Sequence, residues 1–367
     1  MKLPNSCNID PDGDLVLILL DHGDTCERVV KHLKGNITLS LSQSGSRAKR
    51  SLNGQVKVTP SESSHAVARK SSDAEDGQPQ EIRLNVSSKH LTLASPVFKT
   101  LLRGGFAESK DLNKGLAAEV RLPEDHPAAL WLLLYIIHGQ PKRAPDWVDL
   151  GMLTEVAVLV DKYELHEATE IITDTWCTII ENAKYKATCS PNQHLQLICV
   201  SWVFRKPKMF FKRTHLAMRY SDRDLAAEGV TDLPIPIEVL EKVDHARTRA
   251  LGLCLGKVQG FYTQYLKKPS DSSICSAYCD TMVLGALMKG LAAENLVPFP
   301  VSPYKGISYS KLSEALSGMV LSSLCEALVG MNLVSNLTKK QCSIKNALNR
   351  TVREAGLALK GLKLDEF

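Results

Sequence analysis

Val86-Ser-Ser-Lys-His-Leu-Thr-Leu-Ala-Ser-Pro-Val-Phe98 is the stretch on which the fold of this chain turns. Just ahead of it, Glu81-Ile-Arg-Leu-Asn-Val-Ser87 puts Ile82, Leu84 and Val86 on one face, the pattern of a half-buried strand. Ser88 is placed to cap a following helix, because a hydroxyl there can accept from an unpaired amide of the first turn. Pro96 then opens a second helix, Val97 to Leu102, since the first helical position needs no N–H. Gly104-Gly105 ends it. The stretch reads as a strand running into two short helices.

Outward from it, Asp14-Leu-Val-Leu-Ile-Leu-Leu20 is apolar on both faces, as suits a strand inside a sheet with helices against it. It stops at Asp21-His-Gly-Asp24, which is turn chemistry. On the other side, Val120 and Leu122 in Glu119-Val-Arg-Leu-Pro123 give a third strand. His126-Pro127 opens a helix whose residues Leu130 to Ile137 are so apolar that it must lie in the core, and Gly139 terminates it. Two amphipathic helices follow: Leu150, Leu153, Val156, Val160 and Tyr163 mark the first. Ala168, Ile171, Ile172, Trp176, Ile179 and Ile180 mark the second. The fold class is α+β, and this first domain closes near Lys184.

Between the first two strands the composition changes. Ten of the thirty-three residues from Ser40 to Ser72 are serine, and no Phe, Trp or Tyr precedes Phe98. Such a segment buries too little apolar surface to offset its ordering entropy, so roughly Asp24 to Pro79 is expected to be a disordered insertion. One alternating run in it, Ile37, Leu39 and Leu41, could add an edge strand or dock on a partner. From Ser190 onward the pattern is all helical, with segments over Gln193–Phe204, Lys208–Tyr220, Pro236–Leu266, Cys279–Glu294 and Lys311–Leu333. No fixed-period repeat is present.

Read without a gap, Val86 to Ser95-Pro96-Val97-Phe98 resembles the BTB/POZ domain, whose second strand and first helix carry a valine, a histidine, a basic residue and an aliphatic run ending in Ser-Pro-x-Phe. Asp14 stands where that family places an acidic residue at the opening of its first strand. Ser87 holds the place of the usual histidine, and His90 follows three positions later. With that departure, Val86-Ser-Ser-Lys-His-Leu91, Ile136-Ile-His-Gly139 and Val158-Leu-Val-Asp-Lys-Tyr163 are similar to the BTB proteins of filamentous fungi. The similarity continues through Ser201-Trp-Val-Phe-Arg-Lys-Pro207 and Cys275-Ser-Ala-Tyr-Cys-Asp280.

The resemblance implies a BTB/POZ domain over residues 10–185, a small sheet covered by helices and interrupted at about 24–79, then an all-α C-terminal domain over 186–367. It implies a non-enzymatic protein–protein interaction protein: a dimerising scaffold, or a substrate adaptor for a cullin-3 ubiquitin ligase. Dimerisation in the family runs through the first helices, here around Leu91 and Val97; a monomer stands as the equal alternative. Strand swapping is not expected, since only thirteen mostly polar residues precede the first strand. Cullin-3 adaptors carry a hydrophobic residue, any residue and a glutamate after the second helix, and Phe106-Ala107-Glu108 occupies that position. The plainer reading, in which Phe106 covers the edge of the core, carries equal weight.

Composition sets the outer limits. At 367 residues the chain is long enough for two cores, and its 44% hydrophobic and 23% charged content is ordinary. A net charge of +5 does not by itself predict nucleic-acid binding. The start Met1-Lys-Leu-Pro-Asn-Ser-Cys-Asn8 has no apolar run of a signal peptide, and Leu130 to Ile137 is too short to span a bilayer. An intracellular, cytoplasmic or nuclear chain is expected, with its ten scattered cysteines mostly packed as thiols.

The motifs that approach known chemistry fall short of it. His166-Glu167-Ala-Thr-Glu170 lacks the second histidine of a zinc-protease helix and reads as a solvated helix start. Gly252-Leu-Cys-Leu-Gly256-Lys257 is one residue short of a phosphate loop, lacks its Ser/Thr and lies in a helical pattern. Cys275 and Cys279 share a helix face, but a zinc site needs two more ligands. No catalytic, cofactor or metal residue is therefore expected. Basic clusters at Arg47-Ala-Lys49-Arg50, Arg69-Lys70 and Lys339, Lys340, Lys345, Arg350 and Arg353 give the alternative reading, a nuclear transcriptional regulator that contacts DNA through them.

Overall fold

The computed structural model describes residues 3–21, 80–104, 118–183, 189–228, 233–266, 276–325 and 343–367. It is a mixed α+β protein whose residues form two compact units. One comprises Met1–Val148 and Lys162–Ile172, the other Asp149–Asp161 and Thr173–Phe367.

The first unit is built on a four-stranded sheet, β1 (Ser6–Asn8), β2 (Leu15–Asp21), β3 (Gln80–Val86) and β4 (Ala118–Leu122), in the order β1-β3-β2-β4. β2 and β3 pair antiparallel from Leu15↔Val86 to Asp21↔Gln80, and β4 runs parallel to β2 from Leu15↔Ala118 to Leu19↔Leu122. The doubly apolar β2 is thus an interior strand, with Leu15, Leu17, Ile18 and Leu19 buried. The alternation in β3 is equally literal, since Ile82, Leu84 and Val86 are fully buried.

β1 is an addition to what periodicity suggests. Ser6-Cys7-Asn8 has no apolar alternation, yet it pairs parallel with β3 from Ser6↔Arg83 to Asn8↔Asn85. Leu3 and Ile9, buried on either side of it, hold it to the sheet. The turn into β2 then passes over the end of β3 so closely that a Cβ on Gly13 would lie 2.6 Å from the Val86 carbonyl oxygen. Only glycine fits that approach.

Helices α1 (Ser88–Ala94) and α2 (Pro96–Arg103) follow β3. Ser88 does not cap α1; it is the first helical residue, and its amide and hydroxyl both donate to the Asp14 carboxylate at 2.7 Å. The cap comes from across the sheet because Ser88 itself already has helical backbone. Ser95 does cap α2, accepting from the Phe98 amide at 3.0 Å with Pro96 at the first helical position. Helix α3 (Pro127–Ile137) is buried along Pro127 to Tyr135, and Gly139, at φ +69°, ends it. A 3-10 turn, Pro141–Arg143, comes next.

Helices α4 (Leu150–Lys162) and α5 (His166–Asn182) complete this half of the sequence, and the boundary between the compact units falls within them. The helical unit continues with α6 (Pro191–Val203), α7 (Pro207–Tyr220), α8 (Leu225–Glu228), α9 (Ile237–Leu266), α10 (Ala277–Ala293), α11 (Tyr309–Gly318) and α12 (Lys345–Ala358). It contains no strand among the described residues. Ser190 and Gln193 form a capping box at the start of α6, each side chain satisfying the other's backbone amide. The stripe Val243, Ala250, Leu251, Cys254 and Val258 of α9 packs in one core with Phe210, Leu287, Leu316 and Leu348. The long helix expected over Lys311–Leu333 is shorter: α11 ends at Gly318, and Val320 just beyond it is 77% exposed. The insertion expected at 24–79 lies outside the described residues.

Candidate interaction surfaces

In the first unit the residues of the deciding stretch are used for construction. The Ser95 hydroxyl, besides capping α2, donates to the Tyr163 carbonyl at 2.6 Å. Phe98 stacks on the Tyr163 ring with centroids 4.4 Å apart and planes 11° from parallel. The Tyr163 hydroxyl donates to Asp125, whose other oxygen takes Lys162 at 2.6 Å. Burial and the Asp125 carboxylate push the Tyr163 phenol up, so it stays a donor. The short motif thereby ties α2 to a tyrosine far along the chain.

His138 makes a second such tie. Its Nε2 accepts from the Ser87 amide at 3.0 Å, and its Nδ1 donates to the Leu134 carbonyl at 2.8 Å. That arrangement needs a neutral ring. Burial holds the His138 pKa below the ordinary histidine value, and the His90 ring, 4.8 Å away, adds to the effect. At Asp14 burial alone would raise the pKa, but the bonds from Ser88 outweigh it and the carboxyl ends up lowered.

Exposed apolar side chains of this unit include those on the outer side of α1 and α2, as well as Ile171 and Trp147. Leu91 is fully buried and belongs to the core of its own unit. Val97 is half-buried and lines a groove of about 410 Å³ with Pro96, Thr100, Leu101 and Glu164. Leu93, 87% exposed, stands on the neighbouring helix. Sequence reasoning passed over it in favour of Leu91; the two are two residues apart on α1, so a signal existed in the helical spacing. Phe106 and Glu108 lie outside the described residues.

The helical unit carries a larger recess where α6 turns into α7. Here residues 359–367 form a strap across α7: the His215 Nδ1 donates to the Leu359 carbonyl at 2.7 Å, and the Leu362 amide donates to the Thr214 hydroxyl at 2.9 Å. The strap lies so close that a Cβ on Gly361 would sit 2.0 Å from the Phe211 carbonyl oxygen. At its end Phe367 meets Phe210 and Trp202 edge-on, and the Lys242 ammonium lies 4.0 Å over the Phe367 ring. Between strap and turn is a groove of about 880 Å³ lined by Arg205, Pro207, Lys208, Phe211, Lys363, Leu364 and Asp365. Periodicity gives no sign of this groove, because its strap holds nothing longer than a 3-10 turn, Leu364–Glu366.

The other sequence candidates take structural places. His166 starts α5, and Gly252 to Lys257 lie inside α9 rather than in a loop. Cys275 falls outside the described residues, while Cys279 is buried with its sulfur 3.9 Å from that of Cys325. Burial pushes Cys177 and Cys199 up to about 12 and Cys254 up to about 11, so these thiols stay protonated. Arg350 and Arg353 are exposed on α12, opposite buried Leu348, Val352 and Ala355. The basic residues 47–50, 69–70 and 339–340 lie outside the described residues. Among the described residues no group of His, Cys, Asp and Glu could hold a metal ion, and no helix is long and apolar enough to cross a membrane.

Compared with protein-family models, with curated proteins and with solved structures, the chain matches none of them.

Proposed function

We propose that this chain is a non-enzymatic protein-interaction protein whose first unit is a BTB/POZ-type module. In this reading it works as a dimerising scaffold or as a substrate adaptor for a cullin-3 ubiquitin ligase. The observation that carries the proposal is the double use of Ser95 as cap of α2 and donor to Tyr163, with Phe98 stacked on the same tyrosine. The Ser-Pro-x-Phe motif is consumed in fixing the α1–α2 pair, which leaves Leu93, Val97 and Leu101 as apolar groups free to meet a partner. The antiparallel ladder between Leu15–Asp21 and Gln80–Val86 supports the same reading, since the module requires those strands to be neighbours.

One set of measurements separates the two uses. Sedimentation equilibrium of the full chain is expected to give a dimer, and Leu93→Glu with Val97→Glu a monomer of unchanged thermal stability. Cullin-3 capture is expected to fall at least tenfold in Phe106→Ala and Glu108→Ala. Monomeric wild-type protein together with undiminished capture by both variants would remove the proposal.

A further inference from the structure

We propose that the groove between the α6–α7 turn and the 359–367 strap binds an acidic peptide segment of a partner protein, with a bulky apolar side chain as its anchor. The inference deepens the protein-binding reading for the helical unit and rests on it. The floor is apolar: Phe211 is 44% exposed and is flanked by Pro207 and half-buried Leu364. A volume of about 880 Å³ holds a large side chain and its neighbours on either side.

The rim supplies the charge. Arg205, Lys208 and Lys363 line the groove, and among the described residues the one carboxylate lining it is that of Asp365. Among the described residues none of these three cations forms an ion pair, whereas the adjacent Lys206 and Lys212 are engaged by Asp174 and Glu181. Cations left unpaired around an apolar floor fit carboxylates that flank an apolar anchor. The backbone points the same way. Arg205 sits at φ +51° just past the end of α6, where the Lys206 amide donates to the Ser201 carbonyl at 3.0 Å. Glycine adopts that left-handed conformation more easily. An arginine held there places a cation at the rim, and its guanidinium carbon lies 5.1 Å from the centre of the Trp202 ring. A nucleic-acid strand gains most from cations in a row along its phosphates; here two cations on the turn and one on the strap share the groove with apolar side chains and a carboxylate.

The probe is a fluorescein-labelled peptide of sequence DEDLFDED, titrated by anisotropy with the full chain at low salt. Saturable binding is expected, lost for DEDGGDED and for KRKLFKRK. Lys208→Glu with Lys363→Glu is expected to weaken DEDLFDED at least tenfold and to make KRKLFKRK bind. Arg205→Gly, which suits the local backbone, is expected to weaken it severalfold. Phe211→Ala tests the anchor, and the exposed charge variants keep the test intact should it fail to fold. Equal binding of both charge types, no effect of the reversal, or tighter binding of a single-stranded oligonucleotide would each overturn the proposal. Dimer mass and cullin-3 capture do not depend on this groove, so its failure would leave the first unit's reading standing.

Discussion

The two units hold their crossings in opposite ways. In the sheet unit the bonds that join distant segments are short ones at the ends of elements: Asp14 to Ser88, Ser95 to Tyr163 and Ser87 to His138. In the helical unit whole basic groups are buried instead. Arg247 is fully buried in the apolar stripe of α9, and His194 is 1% exposed on α6. Element ends leave marks in a sequence, because caps and turns favour few residue types. A buried cation within a helix leaves almost none.

The largest expected effect follows from this contrast. Arg247 donates to Asp224 at 2.6 Å and to the carbonyls of Pro303 and Ile307 at 2.9 and 3.2 Å, gathering two loops onto one helix. Arg247→Met strips those acceptors of their donor and is expected to cost about 3–5 kcal/mol, measured by urea denaturation. A loss below about 1 kcal/mol would show that the loops close without it, and would break the contrast between the units.

Acid should also strike the helical unit harder. Burial, with the Arg213 charge second, lowers His194 to about 4, and its Nε2 lacks a hydrogen-bond partner. The folded state therefore favours the neutral ring. The stability this represents is complete above the unfolded value near 6.5 and is lost as the pH falls from there toward 4. The expected loss is about 3 kcal/mol. His138 shifts in the same direction within the sheet unit. Amide exchange followed in each unit between pH 7 and pH 4.5 checks this, and His194→Leu should flatten the profile of the helical unit alone.

How much was legible follows the same division. The alternation of Ile82, Leu84 and Val86, the doubly apolar β2 and the wholly apolar α3 each translate directly into burial. Pro96 and Gly139 mark helix ends where the structure has them. β1 escaped notice because an edge strand of Ser-Cys-Asn has nothing to alternate, and its anchors, Leu3 and Ile9, lie outside it. Arg247 carries no mark of its burial in the sequence, although it stands four positions from both Val243 and Leu251, on the apolar stripe itself. The strap was silent for another reason: Gly361-Leu-Lys-Leu364 has neither helical nor strand periodicity, and its place is set by Thr214 and His215 far away. Of the surface residues singled out in the sheet unit, Val97 lines a groove while Leu91 is core.

A middle-sized effect tests the sheet unit. Ser95→Ala removes both the cap of α2 and the bond to the Tyr163 carbonyl, and is expected to cost about 1–2 kcal/mol by urea midpoint. Ser95→Thr should recover part of that loss. If alanine were neutral, the motif would owe its place to something other than construction.

The smallest effects belong to the exposed charges, where the units should no longer differ. On the sheet, Arg83 pairs with Glu81 at 3.0 Å and with Glu119, and all three side chains are at least 40% exposed. On α9, Glu238 and Lys242 form an i,i+4 pair at 3.0 Å with side chains 65% and 42% exposed. Glu238→Gln is expected to cost about 0.3–0.5 kcal/mol, since solvent screens the pair. Lys242→Met should cost more, because the ammonium also lies over the Phe367 ring, a contact of about 0.5–1 kcal/mol at an exposed site. Melting in low salt and in 1 M salt separates the two contributions. The Glu238 effect should vanish at high salt, as should that of Arg83→Gln, while part of the Lys242 effect persists. Equal salt sensitivity for Glu238→Gln and Lys242→Met would mean that Lys242 contributes nothing to holding the end of the strap.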